Sequence, residues 1–211
     1  MKGAIRAHVR VTGKMAHGCT PLLGINPNTR MARIIIAFEE YEKRLKEIYG
    51  CDEFLGWPSV TFTVVQAPPA GEPAQLNVMP RDAEAWIDIR TIPGQEHDKL
   101  RADLKEILKR LAADDENFIA EIDFIEDRPV VSMNRNERIV TVSHKAYSDL
   151  TGKEPTYNGV PGATDGTFLS AWAGIPCLVN GPGPRELPHH VNEYADIPMM
   201  WECYKWYLLT A

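Results

Sequence analysis

Ile5–Thr12 reads IRAHVRVT: Ile5, Ala7, Val9 and Val11 alternate with Arg6, His8, Arg10 and Thr12. Successive side chains of a strand point to opposite faces, so this period of two makes a half-buried strand with His8 on its polar face. Outward from it, residues 13–18 form a loop, and Asn26-Pro27 offers an N-cap and a first-turn proline. Met31, Ile34, Ile35, Phe38, Tyr41, Leu45 and Ile48 then recur at helical spacing until Gly50 closes the helix. Ser59–Val65 and Glu84–Arg90 read as strands around a proline-rich connection holding Asn77-Val78-Met79-Pro80. A second helix is expected from Glu96 to about Ala112 with Leu100, Leu104, Ile107, Leu108 and Leu111 inward, then a fourth strand over Phe118–Ile125. Strand, helix, strand, strand, helix, strand is the ferredoxin-like order: α+β, an antiparallel sheet with two helices on one face.

The remainder differs in character. Asp127-Arg128-Pro129 breaks the pattern, and Asn136–Leu150 is expected as a helix burying Ile139, Val142, Ala146 and Leu150. Glycine-rich turns at Gly159, Gly162 and Gly166 open a short apolar helix, Thr167–Ala173, which Gly174-Ile175-Pro176 stops before Cys177–Val179 resumes as a buried strand. Gly181-Pro182-Gly183-Pro184 is a rigid loop that delivers His189-His190 beside Asn192-Glu193, and Ile197–Leu209 reads as an amphipathic helix. Two helices, one strand and long loops cannot close a sheet around themselves. Residues 1–125 are therefore expected as one domain and 126–211 as the C-terminal part of a larger α/β domain.

With 44% hydrophobic and 25% charged residues among 211, the chain buries a real core. A net charge of −6 and a pI near 5.5 leave no footprint for nucleic acid or an anionic membrane, and no apolar run approaches a bilayer span. Cys19, Cys51, Cys177 and Cys203 show no CxxC pairing, which suits reduced thiols in the cytoplasm, and no signal peptide is read.

Five stretches in order, Lys2-Gly3 with its strand, GKMAHGCTPLLGINP, NVMPRDAEAWIDIR, PGATDGTF and GPGPRELPHHVNEY, resemble the M20 metallopeptidase and amidohydrolase family, which includes acetylornithine deacetylase, succinyl-diaminopimelate desuccinylase and carboxypeptidase G2-like enzymes. The resemblance spans essentially the whole chain. It implies a zinc-peptidase-like α/β catalytic domain interrupted by a ferredoxin-like lid that often mediates dimerisation. The lid would be about 4–125 and the expected partner a second copy. It also implies two divalent metal ions, typically zinc, whose ligands and general base lie mostly before the lid. None of those motifs occurs in this sequence, so the chain is expected to be the C-terminal portion of such an enzyme, inactive by itself and binding zinc weakly or not at all.

Site residues carried over by the resemblance are few. His189 matches the last metal ligand; read alone it is a loop histidine, and His190 lies one register step away. His17 matches the lid histidine that crosses to the partner's site and polarises the scissile carbonyl, its plain alternative being an exposed turn residue. Arg90 matches the arginine that forks onto a substrate carboxylate, with Asn77 as the accompanying amide, although Arg90 also reads as a sheet-edge charge and Asn77 as a turn former. Gly162 and Thr164 fit a turn whose N–H groups meet a substrate carboxylate, and Asp165 reads as a helix cap. His97 and His144 sit on helices without ligand spacing and read as structural. The expected activity of the intact enzyme is metal-dependent hydrolysis of an amide bond in an N-acyl amino acid or small peptide bearing a carboxylate. The alternatives are a non-catalytic dimerisation or amino-acid-binding module, and an amino-acid-sensing domain.

Overall fold

In the computed structural model, which describes residues 1–184, 187 and 190–211, the first strand is β1, Gly3–Thr12, and it lies inside a four-stranded sheet. After it come a short β2 (Ala16–His17), α1 (Pro27–Tyr49), β3 (Ser59–Gln66), a short β4 (Val78–Met79), β5 (Asp82–Thr91), α2 (His97–Ala113), β6 (Ile119–Arg128), α3 (Arg138–Thr151) and α4 (Ile197–Thr210). The sheet order is β3-β5-β1-β6 with every neighbour antiparallel, and β2 pairs with β4 as a separate ladder. The chain forms two compact units, residues 1–130 with 161–163, and residues 131–160 with 164–211.

The alternation of β1 does what its period demands. Ile5, Ala7, Val9 and Val11 are fully covered, and they meet Ala83, Ala85, Ile87 and Ile89 of β5 and the inner faces of α1 and α2 in one core. Burying an aliphatic or aromatic side chain of this kind contributes about 1.5–3 kcal/mol relative to leaving it in water. Met31, Ile34, Phe38, Tyr41 and Leu45 supply α1's share, and Leu100, Leu104, Ile107 and Leu108 that of α2. Asn26 caps α1 by accepting the N–H of Asn28, Pro27 occupies its first turn, and Gly50 ends it at φ 70°, where a β-carbon would be strained. The opposite face of the sheet carries Arg6, His8, Trp86, Asp88, Arg90 and Glu126 and has no helix of this unit over it.

Several expectations need correction. Ile48 is 71% exposed, because α1 by then has run past the edge of the core. The strand β6 continues to Arg128 rather than ending at Ile125, with Ile125 as the extra residue of a bulge opposite Arg6 and Ala7. In the second unit Thr167–Ala173 is not an ordinary helix but a π-helical stretch at Phe168–Trp172. Cys177–Val179 forms no strand and Val179 is 47% exposed, since no strand partner exists for it among the described residues of that unit. On α3 Ala146 is buried as expected, but its buried companions are Val140 and Ser143, with Ile139, Val142 and Leu150 only half-buried. That face receives α4: the indole N–H of Trp206 donates to the Ser143 carbonyl at 2.8 Å and its ring meets Tyr147 edge-on at 5.1 Å. The helix α4 is not amphipathic, for Ile197, Met200, Trp201, Tyr204, Leu208 and Leu209 are all exposed. No described helix is long and apolar enough to cross a membrane.

Candidate active-site residues

Past Thr12 the ladder of β1 with β5 is prolonged towards the tip of the first unit. Gly13 N–H donates to the Arg81 carbonyl at 2.7 Å, and β2 then pairs with β4, Ala16 opposite Met79 and His17 opposite Val78. Two loops distant in sequence are thereby tied together. Gly18 N–H donates to the Asn77 carbonyl at 2.7 Å, and the Asn77 amide lies 3.2 Å from Nε2 of His17. On the other side of the ring, Cys19 N–H donates to Nδ1 at 3.1 Å. A backbone N–H can only donate, so Nδ1 is an acceptor and the neutral imidazole holds its proton on Nε2. The Asn77 amide must then present its oxygen, not its NH₂, to that proton. His17 is thus an exposed histidine with a set tautomer and a set direction for its donor.

Arg90 lies elsewhere. It belongs to the far end of β5, where Thr91 pairs with Gly3, whereas His17 and Asn77 extend from the end where Asp82 pairs with Thr12. Eight residues of strand separate Asp82 from Arg90, about 26 Å at ~3.3 Å per residue. A carboxylate held jointly by Arg90 and Asn77 of one chain is therefore not a geometry this sheet allows, contrary to the sequence-based expectation. Arg90 is also already engaged: its Nη2 donates to Asp88 Oδ2 at 2.8 Å and its Nε to Asp88 Oδ1. Asp88 faces Arg6 at 3.7 Å, Arg6 Nη1 reaches Glu126 at 2.9 Å, and Glu126 takes the Nε of Arg128.

The remaining expected positions are not drawn together by either unit. Gly162 clusters with the first unit and Thr164 with the second, and a β-carbon on Gly162 would meet no described atom within 4 Å. Thr164 shapes the turn, its Oγ1 accepting the N–H of Gly166 at 3.1 Å and its carbonyl that of Thr167 at 3.0 Å, while the Asp165 carbonyl accepts the N–H of Phe168 at 3.0 Å. His189 lies outside the described residues. His190 is exposed in a turn, its N–H donating to Leu187 O at 3.1 Å. Among the described residues no three of His, Cys, Asp and Glu are grouped to hold a metal ion.

His97 and His144 are both built into their surroundings. His144 joins Tyr157 OH at 2.9 Å and Glu154 at 2.8 Å. His97 is the more consequential. Its side chain is 9% exposed, Nε2 faces Thr91 Oγ1 at 2.8 Å and Nδ1 faces Asp127 Oδ1 at 2.5 Å, while Arg101 binds the same carboxylate. An ionised carboxylate only accepts, so Nδ1 carries the proton and Thr91 donates to Nε2. Burial holds this imidazole below the ordinary histidine range, the Arg101 charge acts in the same direction, and Asp98 opposes them. The sequence held a signal for this cluster: Thr91 and Asp127 interrupt otherwise apolar strand faces just where a helix begins with histidine.

A family model described as the peptidase dimerisation domain of the M20 peptidases matches residues 1–116. The chain belongs to the M20 family. Over 96% of its length this M20 chain is 24% identical to an N-formyl-4-amino-5-aminomethyl-2-methylpyrimidine deformylase of Bacillus subtilis (strain 168), covering 49% of it. Over 92% it is 28% identical to an acetylornithine deacetylase of Aliivibrio fischeri (strain ATCC 700601 / ES114), covering 48%. The chain thus spans about half the length of the curated relatives it matches. Among solved structures it is similar to an M20 family metallo-carboxypeptidase from Sulfolobus solfataricus (TM-score 0.71, 18% identity, 100% of this chain and 58% of that one). It is likewise similar to a tripeptidase from Staphylococcus aureus subsp. aureus Mu50 (TM-score 0.73, 19% identity, 99% and 51%), and at such identities the likeness speaks for the fold.

Proposed function

We propose that this chain is the lid and the C-terminal part of the catalytic domain of a metal-dependent amide hydrolase acting on an N-acyl amino acid or small peptide that bears a carboxylate. Membership of the M20 family and the likeness to deacylases and peptidases support the reaction class. The order β3-β5-β1-β6 with two helices on one face supports a ferredoxin-like lid over residues 1–125, and residues 126–211 then belong to the α/β catalytic domain. The metal ions, two zinc ions by the resemblance, would draw on residues beyond those described, with His189 as this chain's contribution. All four cysteines are free thiols, in keeping with a cytoplasmic enzyme.

The separation of His17 from Arg90 carries the reading furthest. A lid whose donor histidine sits at one end of the sheet and whose arginine sits at the other, where the chain enters at Gly3 and leaves at Arg128, serves one substrate only when two copies combine. On pairing, the Nε2–H of His17 exchanges the Asn77 oxygen for the carbonyl oxygen of the partner's substrate as charge builds on it, and Arg90 holds the carboxylate in its own subunit. The free edge of β3 is the surface for that pairing. Its sequence SVTFTVVQ has no charged residue, whereas β6 exposes Glu121 and Asp123, which a twofold axis would set against like charges.

Mixed dimers test this. In an intact enzyme carrying this sequence, His17→Ala should lower kcat and Arg90→Ala should raise KM. Heterodimers joining His17→Ala to a subunit lacking a metal ligand should regain part of the activity, since one of their two sites keeps every component. No recovery, with heterodimers demonstrated, rules out action across the dimer.

A further inference from the structure

Both edge strands of the sheet depart from regular pairing at one level. On β6, Ile125 is the extra residue between the partners of Arg6 and Ala7, and on β3 Thr63 is the extra residue between Phe62, opposite Ile87, and Val64, opposite Trp86. Ala7 and Ile87 face each other between the two irregularities. A bulge bends its strand and re-aims the side chains beside it, so two of them flanking one rung cup the open face there. The resulting hollow holds about 370 Å³ and is walled by Arg6, Thr63, Val64, Trp86, Asp88 and Ile125. Small-molecule pockets start at about 300 Å³.

The polar groups on the wall are already matched. Arg6 faces Asp88 at 3.7 Å and reaches Glu126 at 2.9 Å, and Thr63 Oγ1 donates to the Trp86 carbonyl at 3.3 Å. The indole of Trp86 is held by stacking on His8, ring centroids 4.6 Å apart. Val64 and Ile125 are 39% and 61% exposed, aliphatic side chains standing in water on a face otherwise dominated by charged residues. A charged group entering this hollow would lose its hydration and find its counter-charges taken, whereas an uncharged apolar group gains contact with the indole and both aliphatic side chains. Position says what that group belongs to. Asp88 lies two residues from Arg90 on the same face of β5, about 7 Å at ~3.3 Å per residue. A molecule whose carboxylate sits on Arg90 reaches the hollow with a substituent a few bonds away, which in an amino acid is its side chain.

We infer that this hollow is the pocket for the side chain of the substrate's amino-acid part, and that the substrate is an N-acyl amino acid whose side chain is aliphatic or aromatic. This rests on the assignment of Arg90 to the substrate carboxylate and adds a specificity site to it. The hollow is tested on this chain with N-acetylphenylalaninamide, which has no carboxylate, and N-acetylglycinamide as control, while the Trp86 indole N–H and the methyls of Val64 and Ile125 are followed by NMR. The phenyl compound should move all three along one saturation curve and the glycine compound none. Ile125→Glu, at an exposed bulge, should weaken that binding roughly tenfold, with Ile125→Val in between. In an intact enzyme carrying this sequence, kcat/KM for N-acetylphenylalanine should exceed that for N-acetylglycine at least ~10-fold, and Ile125→Glu should bring the ratio near one. Absent shifts in the titration, or a ratio that Ile125→Glu leaves as it was, overturn the pocket, and a higher kcat/KM for N-acetyllysine with its free side-chain ammonium overturns the apolar class. Arg90→Gln without effect on the KM of either substrate overturns the carboxylate assignment, and a ratio that depends on Ile125 then still upholds the pocket.

Discussion

Replacing Gly3 by alanine should unfold the first unit more easily through a clash that is wholly buried. The backbone there is ordinary extended strand, so the substitution strains no dihedral and by itself stabilises by about 0.4–1 kcal/mol through the unfolded chain. Against this, the new methyl would lie 2.2 Å from Thr91 Oγ1, 2.9 Å from the Arg128 carbonyl and 2.9 Å from Nε2 of His97. Two of those neighbours are backbone or a stiff β-branched side chain, so relief comes from parting β1 from its neighbours or from breaking the Thr91–His97 hydrogen bond. Overpacking of this kind costs about 1–3 kcal/mol and a buried polar group left unpaired another ~1–3 kcal/mol, which leaves a net loss of roughly 2–4 kcal/mol. Urea titration read by amide exchange in peptides from β1 and β5 isolates this unit from the other, and at a slope of ~1–3 kcal/mol per molar the midpoint should fall by about 1–2 M. In a Thr91→Ala background the same change should cost at least ~1 kcal/mol less, because the closest contact has gone. A Gly3→Ala protein within ~0.5 kcal/mol of the parent, or a cost unaltered by Thr91→Ala, would refute the argument.

The pH dependence of the same unit follows from His97. Because its folded pKa is depressed below 6.5, the unfolded chain binds the extra proton first as pH falls. Stability should therefore be complete above about pH 6.5 and decline as pH drops towards the folded value, and urea midpoints of His97→Gln should be flatter across that window; an unchanged slope would exclude His97 as the source. Thr61→Lys with Val65→Lys, which puts charge on the β3 edge, should shift a dimer to monomer in light scattering at high micromolar concentration, and a parent that is itself monomeric there counts against the edge pairing. Calorimetric titration of this chain with zinc should show weak binding at best, and it should release no amine from a panel of N-acyl amino acids. Tight binding of two ions, or turnover abolished by a chelator, would reveal a complete site within the chain.

Much of the first unit was legible in the sequence because its signals are local. Alternation along Ile5–Val11, the cap at Asn26-Pro27 and the stop at Gly50 depend on neighbours a few residues away, and each appears where its chemistry placed it. The family, too, was readable from the order of short motifs, and the matched dimerisation domain agrees. Cys177–Val179 failed for the complementary reason: an apolar run becomes a strand only when another strand pairs with it, and none among the described residues of its unit does.

The candidate site divides along the same line. Residue types at His17, Asn77 and Arg90 were evident, but their grouping depends on which strand lies beside which and in what register, a matter of contacts between residues far apart in sequence. The β2–β4 ladder gave Asn77 to His17, and β5 running antiparallel to β1 carried Arg90 to the opposite end. The same register set Arg128 across Ala4 from Arg90 and let His97 join Thr91 to Asp127 over Gly3. By itself the sequence determined the long strands and the two helices of the first unit and the family, since these are written in short-range pattern. Only the tertiary structure decided which charged and polar groups share a place, because burial and cross-strand pairing are properties of the assembled sheet.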